Sequence, residues 1–147
     1  MYKRLWVLSI ILVLMIVLAA CDGSAAERAT PSEIGSVAEL TDALREAGAT
    51  VEMAELIDQP FFSVPGQVIQ INGSAVQVFE YADGAAREAE STLISADGSS
   101  IGTSIVSWID TPHFWARDQV IALYIGQNEA IIDLLTEILG APLTNNG

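Results

Sequence analysis

Two residues could carry most of the chemistry of this 147-residue chain, because each is the only one of its kind: Cys21 and His113. A thiolate is a strong nucleophile, and an imidazole is the side chain that exchanges a proton near neutral pH. Cys21 follows Leu18-Ala19-Ala20 at the end of an apolar run, whereas His113 stands in Thr111-Pro112-His113-Phe114-Trp115, with Asp110 and Asp118 on either side. A histidine next to a carboxylate is the minimum for general acid or base work. One reading is therefore a hydrolase of unrecognised type using His113 with Asp110 or Asp118. The plainer reading is a turn or strand-end histidine wedged among aromatics. No serine lies in a G-x-S-x-G elbow, so no hydrolase motif favours the first.

Other site chemistries find less support. One histidine with scattered carboxylates falls short of a zinc ligand set, and Asp97-Gly98-Ser99 lacks the further acids of a calcium loop, so no metal site is expected. Glu52 with Glu55 and Glu88 with Glu90 read as solvated faces, not as glycosidase pairs. Gly98 and Gly102 fit neither phosphate-cradling pattern, and no cofactor motif is present. The net charge is −13. Such an excess of carboxylates is repelled by phosphate backbones, so nucleic acid is not an expected partner. The acidity suits a cationic ligand or, more plainly, solubility.

Around Cys21 the pattern is that of an export signal. Lys3 and Arg4 form a positive start, and Leu5 to Leu18 (LWVLSIILVLMIVL) is an apolar run broken only by Ser9. As a helix that run spans about 21 Å, short of about 30 Å of hydrocarbon, which favours a removable leader over an uncleaved N-terminal membrane anchor. Leu18-Ala19-Ala20-Cys21 resembles the lipobox of bacterial lipoproteins: an aliphatic residue, two small residues and the cysteine. The resemblance implies a thioether to diacylglycerol at Cys21, cleavage before it, acylation of the new amino group, and a domain held on the extracytoplasmic side of a cell membrane. Two or three acyl chains give stable anchoring where one does not. Loss of residues 1–20 would remove Lys3 and Arg4 and leave about −15. With Cys21 lipidated, no disulfide is possible and the fold must rest on its core.

The expected organisation is a signal peptide at 1–20, the lipidated cysteine and a flexible linker at 21–35, one domain at 36–142, and a disordered tail at 143–147. Ser36-Val37-Ala38-Glu39 has the form of a helix-starting capping box; Val37, Leu40, Leu44 and Ala47 follow at helical spacing until Gly48. Thr50 to Ile57 reads as a strand, and Phe61 to Val64, between two prolines, as an edge or loop piece. Asn72-Gly73 joins strands Gln67–Ile71 and Ser74–Tyr81 as a type I′ hairpin. Asp83 caps a helix to about Ile94, with Ala86, Ala89 and Leu93 inward and Arg87, Glu88 and Glu90 outward. After a turn at 97–100, residues Thr103–Ile109, His113–Ala116 and Val120–Ile125 read as strands. A last helix runs from Asn128 through Ile131, Leu134, Leu135 and Ile138 to Gly140. The order α-β-β-β-α-β-β-β-α predicts an α+β two-layer sandwich with a twisted antiparallel sheet.

Trp108, Phe114, Trp115 and Tyr124, with Phe61 and Phe62, could line a groove for a peptide or glycan, or else form core. The stretches VQVFEY (76–81), Trp108 to Phe114 (W-x-x-x-PHF) and VIALYIG (120–126) are similar to a group of small uncharacterised bacterial lipoproteins and exported proteins; this implies no activity, cofactor or catalytic residue. The expected role is a non-enzymatic domain that binds an envelope protein, peptide or glycan through Trp108, His113, Phe114 and Trp115.

Overall fold

The computed structural model describes residues 33–145, so Cys21, the leader and most of the expected linker lie outside the described residues. Among the described residues three helices, α1 (Val37–Glu46), α2 (Gly84–Ser91) and α3 (Glu129–Leu139), accompany seven strands. These are β1 (Val51–Ile57), β2 (Gly66–Ile71), β3 (Ser74–Glu80), β4 (Ser100–Ile101), β5 (Ser104–Ile105), β6 (Pro112–Arg117) and β7 (Val120–Ile125). The class is α+β, and the helices bracket the two groups of strands as expected. Among the described residues no helix is long and apolar enough to cross a membrane.

Five strands form one sheet in the order β1-β2-β3-β7-β6, with every neighbouring pair antiparallel. At the β2–β3 turn Asn72 and Gly73 both have positive φ, as a type I′ turn requires. Asn72 also ties the turn to the start of β1: its N–H donates to the Thr50 carbonyl, and its Oδ1 accepts from the Thr50 N–H, both at 2.9 Å. The β1–β2 register shifts between Met53 and Leu56. The Gln67 amide fills the resulting gap by donating to the Ala54 carbonyl at 2.8 Å.

Period-2 alternation sends successive side chains to opposite faces, and here both faces are covered. On one face α1 and α3 pack Leu40, Leu44, Ile131 and Leu135 onto Ile69, Val76, Val78, Trp115 and Ala122. The other face carries a second, aromatic-rich core of Phe62, Phe79, Tyr81, Phe114, Ile121 and Leu123. Phe61, Val64, Ile94 and Trp108 pack against its edge.

The helix signals hold in detail. Ser36 Oγ accepts from the Glu39 N–H at 3.2 Å, Asp83 Oδ1 from the Ala86 N–H at 2.8 Å, and Asn128 Oδ1 from the Ala130 N–H at 3.2 Å. The second helix differs from expectation. It ends at Ser91, and Ala86, Ala89 and Leu93 are exposed while Arg87, Glu90 and Ser91 turn inward. Hydrogen bonding decides this orientation: Arg87 Nε donates to the Asp118 carbonyl at 3.0 Å, and Tyr81 Oη donates to Glu90 at 2.8 Å.

Three boundaries also move. Thr103–Ile109 is no continuous strand: Ser104–Ile105 pairs only with Ser100–Ile101, and beyond it the chain runs without a ladder, although Val106 and Trp108 still face the second core. Ile34, expected in the linker, is buried in the first core, and its N–H donates to Asp118 at 2.8 Å. The expected disordered tail is held as far as Asn145. Leu143 N–H donates to the Phe114 carbonyl at 2.7 Å, Asn145 N–H to that of Ala96 at 2.8 Å, and Thr144 is buried between them. Each new boundary follows from backbone groups and an apolar side chain finding partners remote in sequence, which local composition does not encode.

Candidate functional site

The four residues expected to form one binding surface do not share one. His113, Phe114 and Trp115 are consecutive on β6, so the pleat sends His113 and Trp115 toward the helices and Phe114 to the opposite core. Phe114 and Trp115 are fully buried. Phe114 sits edge-on to Phe62 and Trp108, while Trp115 donates its indole N–H to Thr136 Oγ1 on α3 at 3.2 Å. Trp108 is half-buried and pinned by a 2.7 Å hydrogen bond from its indole to the Gly98 carbonyl. The aromatic groove is therefore core, with Trp108 at its rim; the sequence left both readings open.

His113 is different. It is 3% exposed, and its ring is stacked near Trp115 and Tyr124, with centroids 6.0 and 6.2 Å away. Tyr124 belongs to β7 directly across from His113 in the ladder, which is why the rings align. One ring nitrogen bonds to the backbone of Gly126. The other, Nε2, is buried without a hydrogen-bond partner among the described residues. Burial pushes the imidazole pKa down, opposed by the Gly126 hydrogen bond and the charge of Asp110. With Nδ1 carrying the proton toward Gly126, Nε2 is left as a lone-pair acceptor.

This ring forms part of the wall of an open cleft of about 380 Å³ at the start of α3. Thr111 and Gln127 stand at its β-sheet side, and Glu129, Ile132 and Asp133 come from α3. Pro142 and Thr144 close it from the C-terminal segment, which explains why the docked tail matters to the site. Asp110 stands at the edge: its carboxylate accepts from Gln127 Nε2 and from the Thr111 N–H, both at 2.7 Å, and these bonds lower its pKa. The Gly126 that bonds to His113 is itself closely approached, for a Cβ there would lie 2.5 Å from Tyr124 Oη.

The hydrolase partners separate here. Asp118 lies five residues on, in the turn just past the end of β6, up to about 17 Å away at about 3.3 Å per residue, and is committed to the Ile34 N–H. Asp110 is near, but no hydroxyl or carboxylate bonds to the His113 ring among the described residues. Nor, among them, do three or more His, Cys, Asp or Glu side chains stand close enough to share a metal ion. A second depression, of about 400 Å³, lies near the β2–β3 turn beside Thr50, Glu52 and Asn72. There Asn72 is already bonded to Thr50, and among the described residues no unpartnered buried side-chain atom stands at that depression.

Reading the sequence singled out His113 but missed Glu129 and Asp133. The available signal was their i, i+4 spacing behind the Asn128 cap, which places two like charges side by side on a helix at a cost of a few tenths of a kcal/mol. Comparison with known proteins finds no matching family model, no matching curated protein and no matching solved structure.

Proposed function

We propose that the chain is exported, cut before Cys21, and anchored through lipid on that cysteine to the outer face of a membrane, where its domain binds a ligand without transforming it. The anchoring half rests on the basic start, the apolar run and Leu18-Ala19-Ala20-Cys21, together with the fact that the chain has no other cysteine. The binding half rests on one observation above the rest: a nearly fully buried imidazole in a cleft wall with an acceptor nitrogen that no group among the described residues satisfies. Leaving such an atom unpaired costs about 1–3 kcal/mol, a cost a ligand donor would relieve. Catalysis is the weaker reading, because His113 is oriented by a backbone group and, among the described residues, hydrogen-bonds to neither a nucleophile nor a carboxylate.

The anchoring test compares the parent with Cys21→Ala. Intact-mass spectrometry of the parent should show a chain beginning at Cys21 with the mass of diacylglycerol added, recovered with membranes. The variant should lack the lipid and the cleavage. A parent protein that retains Met1, or that carries an unmodified thiol, would refute the anchor.

A further inference from the structure

We infer that the cleft beside His113 is a site for an aliphatic primary amine, with one ammonium held by Glu129 and Asp133, an N–H given to His113 Nε2, and the methylene chain laid against Ile132 and Pro142. This rests on the binding reading above and adds its chemical class. The first argument is the buried acceptor: a neutral imidazole nitrogen without a partner asks for a donor, and an amine supplies up to three. The second is charge. Glu129 and Asp133 both reach the cleft from one face of α3. Together they outweigh the roughly half positive charge of the helix N-terminus, so the cleft favours a cation.

Size and wall chemistry narrow the choice. About 380 Å³ is at the small end of ligand sites, and Ile132 and Pro142 are its apolar lining. A short chain of methylenes ending in ammonium matches both. A hydrated inorganic cation would have no use for the apolar wall. Because Nε2 is itself covered, its bond to the amine requires the edge of the ring to be uncovered as the ligand seats.

The test uses the full chain, purified in detergent and labelled with ¹⁵N, and the probe 1,5-diaminopentane at 150 mM salt. His113 is the only histidine, so its ring nitrogens give an unambiguous signal. The diamine should shift the Nε2 resonance saturably with one equivalent bound, and 1,5-pentanediol should leave it in place. Glu129→Gln with Asp133→Asn should weaken binding about tenfold, the loss of two partly exposed ion pairs. Glu88→Gln with Glu137→Gln, which removes equal charge outside the cleft, should change it less than twofold. An unmoved Nε2 at saturating diamine, an equal response to the diol, or equal weakening by both double variants would overturn the amine site. An equal response to the diol keeps a ligand at His113 and overturns only its amine class, whereas an unmoved Nε2 counts against the binding reading itself.

Discussion

Along β6 one residue step decides fate. His113 and Trp115 enter the helical core, whereas Phe114, between them, enters the aromatic one. The two indoles, Trp115 within this strand and Trp108 ahead of it, therefore do different work. Trp115 is fully buried and bonded to Thr136, so Trp115→Ala should cost about 3–5 kcal/mol in urea unfolding, the range for large aromatic deletions in a core. Trp108 is half-buried at the edge of the second core, and Trp108→Ala should cost clearly less. Equal losses would contradict this division of roles. The types and alternation of these residues were legible in the sequence. Which face received a helix was not, because both faces accept apolar side chains equally well and only the partners placed above them differ.

At the scale of elements, turn chemistry proved the most readable. Asn72-Gly73 names its turn because few residues other than Asn and Gly tolerate positive φ, and the caps at Ser36, Asp83 and Asn128 name their helices through short side-chain oxygens. Asn72 has a second task in holding Thr50, the residue before edge strand β1. Asn72→Gly keeps the backbone freedom and loses the side-chain bond, whereas Asn72→Ala loses both. We expect Asn72→Ala to cost about 1–2 kcal/mol and Asn72→Gly less, measured by urea unfolding. Equal losses would show that the tie to Thr50, not the φ, holds the turn. Helix α2 was read with the wrong face inward because an alanine stripe resembles an apolar seam. Arg87 and Glu90 have remote partners, the Asp118 carbonyl and the Tyr81 hydroxyl, that no periodicity announces. Burial and Glu90 together drive the Tyr81 pKa up, so that hydroxyl stays a donor.

For the whole molecule, the sheet is a wall between two cores, and His113 couples the core on its side to the solvent cleft. Its pKa is lower in the folded chain than the ordinary value of 6.5, chiefly because of burial. The unfolded chain then binds the proton more readily, so the contribution of the neutral ring to stability is complete above pH 6.5. It declines as the pH falls through the folded pKa. His113→Phe removes that dependence while keeping an aromatic ring, and Asp110, Glu129 and Asp133, which stand around the site, are present in both proteins. The melting-temperature advantage of the parent over the variant should therefore shrink between pH 7.5 and pH 5. A constant gap over that range would mean that the imidazole is equally protonated folded and unfolded.

What the chain's own order of residues determined was whatever depends on neighbours a few positions away: helix caps, the Asn-Gly hairpin, strand alternation and the α+β class. Tertiary structure alone decided what depends on distant partners. It docked Leu143 on Phe114, drew Ile34 into the core, turned Arg87 inward, and set Glu129, Asp133 and His113 around one cleft. The reason is physical: local signals arise from backbone torsions and side chains within one or two turns, whereas a cleft exists only after sheet, helix and tail have closed on one another.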